Sequence, residues 1–124
     1  MTFLEMFRDW EDMEVHKANT VLFSERDPAD SMYVIMSGEV ELTLYGEPLG
    51  LESEGGIIGE MAMINSATRN ATATALTKVK LARLNREQFR ELVNKDPNFS
   101  LQVMAVLANR LRAVDHYITT QFKK

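Results

Sequence analysis

The sequence predicts a mainly β fold with flanking helices, and three observations carry that prediction. Short runs of β-forming residues follow one another with turn residues between them. One run, "VELTLY" (40–45), alternates Val40, Leu42 and Leu44 against Glu41, Thr43 and Tyr45, the two-residue period of a half-buried strand. After Leu84 the apolar spacing turns helical and stays so to about Phe122.

In chain order, the first residues read as a short amphipathic helix, with Phe3, Leu4, Phe7 and Trp10 at roughly helical spacing. His16 falls at the expected start of a strand. "VLF" (21–23) leads into the turn-rich "SERDPAD", and "MYVIM" (32–36) then runs to Gly38. "VELTLY" is followed by the turns "GEP" (46–48) and "GG" (55–56). "NATATALT" (70–77) alternates Ala71, Ala73 and Ala75 against Thr72 and Thr74, and "VKLARL" (79–84) closes the β part. Strands so closely spaced favour a sandwich, jelly roll or barrel. The expected organisation is one domain, 1–124, with the β part over about 15–84 and two C-terminal helices over about 85–122.

Asn85 and Gln88 have the spacing of a capping-box variant and open a helix that turns Phe89, Leu92 and Val93 inward. Asp96 before Pro97 reads as an N-cap followed by a first-turn proline. The helix that starts there carries two apolar lines. Phe99, Val103, Leu107 and Val114 form one; Leu101, Met104, Ala108, Leu111 and Ile118 form the other. Polar residues gather around Gln102, Asn109, Arg112 and His116. So broad an apolar surface exceeds a single contact with the β part, which predicts a homodimer through this helix.

Composition removes several functions. The net charge is −4, so the chain has no basic excess for nonspecific nucleic-acid binding. Arg110, Arg112, Lys123 and Lys124 read as a solvated helix face and tail. There is no cysteine, hence no disulfide framework and no thiolate metal site. His16 and His116 lie far apart and cannot make the histidine cluster of a metal catalyst. No serine nucleophile is framed by a base. The expectation is a protein that is not an enzyme and holds no metal or cofactor. No apolar run approaches the ~18 residues of a membrane span. The acidic start "MTFLEMFRDWEDMEV" is not a secretion signal, so no membrane role and a cytoplasmic location are expected.

One stretch, "IIGEMAMINSATRNATATA" (57–75), places a lone acid, Glu60, and a lone base, Arg69, nine positions apart in a small and apolar run. Gly59 permits close approach of a ligand to the backbone. The helix formers Glu60, Met61, Ala62 and Met63 would present first-turn amides that suit a phosphate. An arginine completes such a site with a charge-assisted bond. A carboxylate repels phosphate but accepts hydrogen bonds from a sugar hydroxyl. These residues fit an organophosphate carrying a sugar, and they equally fit an ordinary Glu–Arg pair on the sheet rim.

The order Ile58, Gly59, Glu60, Met61, Ala62, Met63, then Arg69, Asn70, Ala71, resembles the phosphate-binding cassette of the cyclic nucleotide-binding domain family. That family includes the bacterial catabolite activator protein and the regulatory subunits of cyclic-AMP-dependent protein kinase. "NTVLFSERDPADSMYVIMSGEVEL", with Asp27, Asp30, Tyr33, Ile35 and Gly38, is similar to the family's first strands. "LNREQFRELVNKDPNFSLQVMAVLANRLR" is similar to its C-terminal helices, so the resemblance covers roughly Val15 to Tyr117. It implies an eight-stranded jelly roll (a double-stranded β-helix, cupin-like) with a short N-terminal and two C-terminal helices.

The resemblance also implies roles. Met61 and Ala62, with Asn70 or Ala71, would offer backbone contacts to a phosphate; Arg69 would bind it, and Glu60 would hold the ribose hydroxyl. Leu42, Leu49 and Ile58 would line the base and sugar region, and Arg110 would reach the ligand from the long helix. Several residues depart from the pattern. Arg26 stands where the family has glycine in an early turn, at a cost of about 1 kcal/mol if that turn needs positive φ. Ala18 and Asn19 replace a Gly–Glu pair. Asn70 replaces a smaller residue beside the phosphate, and Val114 and Asp115 stand where some relatives face adenine with Thr–Ser. The implied function is a cyclic-nucleotide sensor, for cyclic AMP before cyclic GMP, that acts on an effector protein. The alternative is a dimerisation module that keeps the fold without the ligand. Relatives that read DNA carry a helix-turn-helix after the long helix, and the chain stops at Lys124, so direct DNA binding is not expected.

Overall fold

The computed structural model describes residues 1–64 and 68–122, and of Val114 and residues 117–122 the backbone alone. The chain divides into two compact units, Met1–Arg86 and Glu87–Lys124.

The first unit is a β-roll. Its strands are β1 (Met13–His16), β2 (Val21–Phe23), β3 (Ser31–Ser37), β4 (Val40–Leu44), β5 (Glu47–Glu52), β6 (Ile57–Ile58), β7 (Thr72–Ala75) and β8 (Val79–Asn85). They form two four-stranded sheets in the orders β1-β8-β3-β6 and β2-β7-β4-β5. Every paired strand is antiparallel, the arrangement of a jelly roll. Helix α1 (Phe3–Met6) precedes the strands, and the single turn α2 (Met61–Ile64) lies between β6 and β7.

The period-two pattern fills the space between the sheets. Ile35, Ile58, Val79 and Leu81 from one sheet meet Val40, Ala73 and Ala75 from the other, all at or near zero exposure. Leu22, Phe23, Tyr33 and Leu42 pack around them half-buried. Each large aliphatic side chain removed from water contributes about 1.5–3 kcal/mol. The alternation of β7 is thus resolved: Ala73 and Ala75 face the core, and Thr72 and Thr74 stand half-buried beside them.

Three local expectations change. The N-terminal helix is one turn, not a helix reaching Trp10. Thr2 caps it by a reciprocal pair of bonds with Glu5, and Phe7 at φ −106° ends it. Phe7 is fully buried with its ring centroid 4.8 Å from that of Trp10, whose Nε1 donates to the Arg83 carbonyl at 2.7 Å. These contacts, not helix periodicity, account for Phe7 and Trp10. Second, the turn after β4 is Tyr45–Gly46, and Glu47 and Pro48 already belong to β5. Both turn residues have positive φ, 51° and 82°, as a two-residue hairpin turn requires. Third, His16 closes β1 instead of opening a strand, with Nε2 2.9 Å from Oε1 of Glu14.

The second unit, which begins at Glu87, holds all but the first residue of α3 (Arg86–Lys95) and α4 (Pro97–Phe122). Helix α3 starts directly after Asn85, and Phe89, Leu92 and Val93 are half-buried. Asp96 caps α4: its side chain accepts the Asn98 amide at 3.1 Å, and its carbonyl accepts that of Phe99 at 2.9 Å. The Phe89 and Phe99 rings pack edge-on at 5.5 Å. The two apolar lines of α4 differ in exposure: Phe99 and Val103 are buried, while Leu101, Met104 and Leu111 are exposed. The side chains of Val114 and Ile118 lie outside the described residues.

Candidate functional site

Arg69 precedes β7, and its backbone is clamped on both sides by the loop after β2. Its N–H donates to the Asp27 carbonyl and its carbonyl accepts the Arg26 N–H, each at 2.9 Å. The side chain runs inward and is 7% exposed. Nη1 donates to the Ser31 carbonyl at 2.6 Å and reaches the Gly59 carbonyl at 3.5 Å. The guanidinium carbon lies 4.2 Å from the Phe23 ring centroid and 5.9 Å from that of Tyr33, and the two rings stack at 6.3 Å. An arginine over aromatic faces gains cation–π attraction while its donors stay directed. Nε has no hydrogen-bond partner. Burial lowers the Arg69 pKa, helped by the charge of Arg83; Tyr33, Asp30 and Asp27 oppose the change.

Gly59 has φ +75°, and a Cβ there would lie 2.6 Å from Arg69 Nη1 and 3.4 Å from the Ser31 carbonyl oxygen. The close approach that requires glycine is therefore that of the chain's own arginine, where sequence reasoning assigned it to a ligand. Glu60 follows Gly59 at 3% exposure, so acid and base are both buried, the base lying against the glycine that precedes the acid. In the turn of α2, Ala62 is buried and its N–H donates to the Gly59 carbonyl at 3.2 Å, while that of Met63 donates to Glu60 at 3.0 Å. Of the two amides expected to face a phosphate, that of Ala62 is thus already used within the turn. Met61 is 38% exposed.

Other expected residues are placed as follows. Ile58 is fully buried between the sheets, with Leu42 packed against the same cluster. Leu49 is 58% exposed on β5, an edge strand, at the register shift opposite Leu42 and Thr43. Asn70 is exposed and Ala71 half-buried. Arg110 is half-buried on α4, in the second unit. Asp115 and His116 are exposed, and the side chain of Val114 lies outside the described residues.

Sequence reasoning missed five contributors. Ser31 supplies a carbonyl, Phe23 and Tyr33 a stacked platform, and only Tyr33 carried a signal, through the resemblance. Arg86 braces α2, its Nε donating to the Ala62 carbonyl at 3.0 Å and its Nη2 to that of Ala29 at 3.4 Å. Tyr45 contacts Arg26, which does adopt the left-handed conformation, φ 73°. The turn therefore keeps the glycine-like geometry, at a strain of about 1 kcal/mol. Asn19 is left-handed as well, φ 69°, which asparagine tolerates better than most residues. Among the described residues no group of three or more His, Asp or Glu side chains is placed to hold a metal, and no helix is long and apolar enough to cross a membrane.

A family model described as Cyclic nucleotide-binding domain matches residues 13–96. A cAMP-dependent protein kinase regulatory subunit from Yarrowia lipolytica is 35% identical over 82 residues, 64% of this chain and 22% of that protein. A CRP-like cAMP-activated global transcriptional regulator from Mycobacterium tuberculosis is 30% identical over 101 residues, 77% of this chain and 45% of that protein. The chain thus spans less than half the length of either relative. Among solved structures, the Thermus thermophilus catabolite activator protein superposes with a TM-score of 0.82 at 26% identity, over 95% of this chain and 58% of that one.

Proposed function

The chain belongs to the cyclic nucleotide-binding domain family, and on that premise we propose that it is a non-catalytic sensor of a cyclic nucleotide, cyclic AMP before cyclic GMP. One observation carries the reading most directly. Arg69 is a buried cation whose neighbours are carbonyls and aromatic rings, with Nε unpartnered. A buried guanidinium that makes no ion pair is costly, and a phosphate at this corner would supply one through a charge-assisted pair. Glu60, buried directly after Gly59, would accept the sugar hydroxyl. Met61, Ala62, Asn70 and Ala71 would add backbone contacts, with Leu49 and Ile58 near the base. The preference for cyclic AMP is supported by the relatives whose names print it. Binding would favour one of two arrangements through differential affinity and pass it to an effector protein in the cytoplasm.

Calorimetry with cyclic AMP and cyclic GMP tests this. Saturable heat, larger affinity for cyclic AMP and loss of both in Arg69→Ala are expected. No heat with either nucleotide at high protein concentration ends the reading. It would favour a ligand-free dimerisation module, to which the satisfied Nη1 of Arg69 and the engaged Ala62 amide lend support.

We propose in addition that α4 mediates a homodimer. Leu101, Met104 and Leu111, all more than half exposed, follow the three- and seven-residue spacing of a coiled-coil seam. A single species at monomer mass in sedimentation at micromolar concentration would exclude it.

A further inference from the structure

Arg26 and Tyr45 are both left-handed non-glycine residues, and they touch each other. Arg26 Nη2 donates to Tyr45 Oη at 2.7 Å, and its guanidinium carbon lies 5.5 Å from the tyrosine ring centroid. Each belongs to a different turn: Arg26 to the loop after β2, Tyr45 to the tip of the β4–β5 hairpin. A second bond joins the same turns, from the Tyr45 N–H to Glu25 Oε1 at 3.0 Å. The other oxygen of Glu25 accepts the Thr72 hydroxyl, and the Glu25 N–H donates back to that hydroxyl at 3.1 Å. Thr72 opens β7, three residues after Arg69.

The contacts close a circuit. Arg69 is bonded through its carbonyl to Arg26, Arg26 to Tyr45, Tyr45 to Glu25, and Glu25 to Thr72 on the strand that Arg69 leads into. Left-handed backbone is disfavoured for arginine and tyrosine, and such residues persist where their surroundings over-determine them. Here each is held by the other. In this left-handed conformation the Arg26 N–H aims at the Arg69 carbonyl, at 2.9 Å.

We propose that Arg26 and Tyr45 form a strap that fixes the main chain of Arg69, making Arg26 a positioning residue for the anion site. The arginine in place of glycine is then not a defect of the turn. It ties the hairpin tip to the segment that aims the buried guanidinium, and loosening it lets Arg69 release its ligand sooner. The effect on ligand release rests on the nucleotide reading above; the effect on the Arg69 backbone does not.

Residue-resolved amide hydrogen exchange on the unliganded chain tests the strap. Tyr45→Phe removes one hydroxyl, and Arg26→Gly removes the side chain while relieving the strain. Each should speed exchange of the Arg69 amide at least about twofold, the scale of one hydrogen bond, with the core amide of Leu81 unchanged. The double variant should add little to the larger single effect. Unchanged exchange at Arg69, or equal acceleration at Leu81, overturns the proposal. Stopped-flow release of a fluorescent cyclic AMP analogue should speed up in the same variants, and release at the wild-type rate removes the link to ligand. A wild-type chain that binds no analogue defeats the nucleotide reading, and the exchange result still decides the strap.

Discussion

Arg69 and Arg83 belong to the same β-roll, yet they are opposite kinds of arginine. Arg83 lies within 3.3 Å of Asp12, 3.5 Å of Asp30 and 3.9 Å of Glu14, with its side chain 27% exposed. Burial pulls its pKa down, but the Asp12 hydrogen bond and the charges of Asp30 and Tyr33 outweigh it and raise the value. Arg69 is more deeply buried, contacts carbonyls and rings, and its pKa is lowered. For Arg69 the unfolded chain holds the proton more tightly than the folded one. Its charge therefore costs stability at every pH below the folded pKa. Arg83 already has its anions; Arg69 makes no ion pair among the described residues and is placed by carbonyls and rings, the setting that the proposed phosphate would complete.

That contrast can be broken most sharply at Arg69. Arg69→Met should lower cyclic-nucleotide affinity by about 3 kcal/mol or more, because the ligand's phosphate loses its buried partner. The same variant should melt at or above the wild-type temperature, since an apolar side chain of similar volume removes a buried charge that makes no ion pair. A large fall in melting temperature would make Arg69 structural like Arg83.

Gly59→Ala should come next. The new Cβ meets Arg69 Nη1 at 2.6 Å on a backbone with φ +75°, so both strain and displacement of the guanidinium follow. A stability loss of about 1–2 kcal/mol is expected, with weaker nucleotide binding measured in the same preparation. Stability lost with affinity untouched would separate the glycine from the site.

The smallest effect should be that of Arg83→Met. Partly exposed ion pairs are screened, so about 1 kcal/mol of stability should be lost, less at high salt. Nucleotide affinity should not change. Equal loss of affinity would merge the two arginines into one functional cluster.

Much of this was legible in the residues. The strand runs, the alanine–threonine alternation of β7, the Asp96–Pro97 helix start and the Glu60–Arg69 spacing all rest on local periodicity or on a motif, while the face of β7 that turns inward did not. The one-turn α1 was not legible, because Phe7 packs on Trp10, which is tied to the distant Arg83 carbonyl, and the pair mimics a helical spacing. The turn at Tyr45–Gly46 was misplaced by a proline that sits on an edge strand, where its missing N–H is tolerated. Phe23 and Ser31 carried no sign of a part in the site. One contributes a ring from a short strand and the other a backbone carbonyl, and carbonyl direction is set by the fold and not by residue type.

By itself the sequence determined the run of short strands, the helices after it and the spacing of Glu60 and Arg69, because alternation, capping and spacing are properties of near neighbours; the jelly roll came from the family resemblance. Tertiary structure alone decided what surrounds that pair. Gly59 yields room to a guanidinium ten residues away, and Arg26 accepts a strained turn against a tyrosine from another hairpin. Such contacts join segments far apart in the chain, and their distances exist only once both sheets have closed.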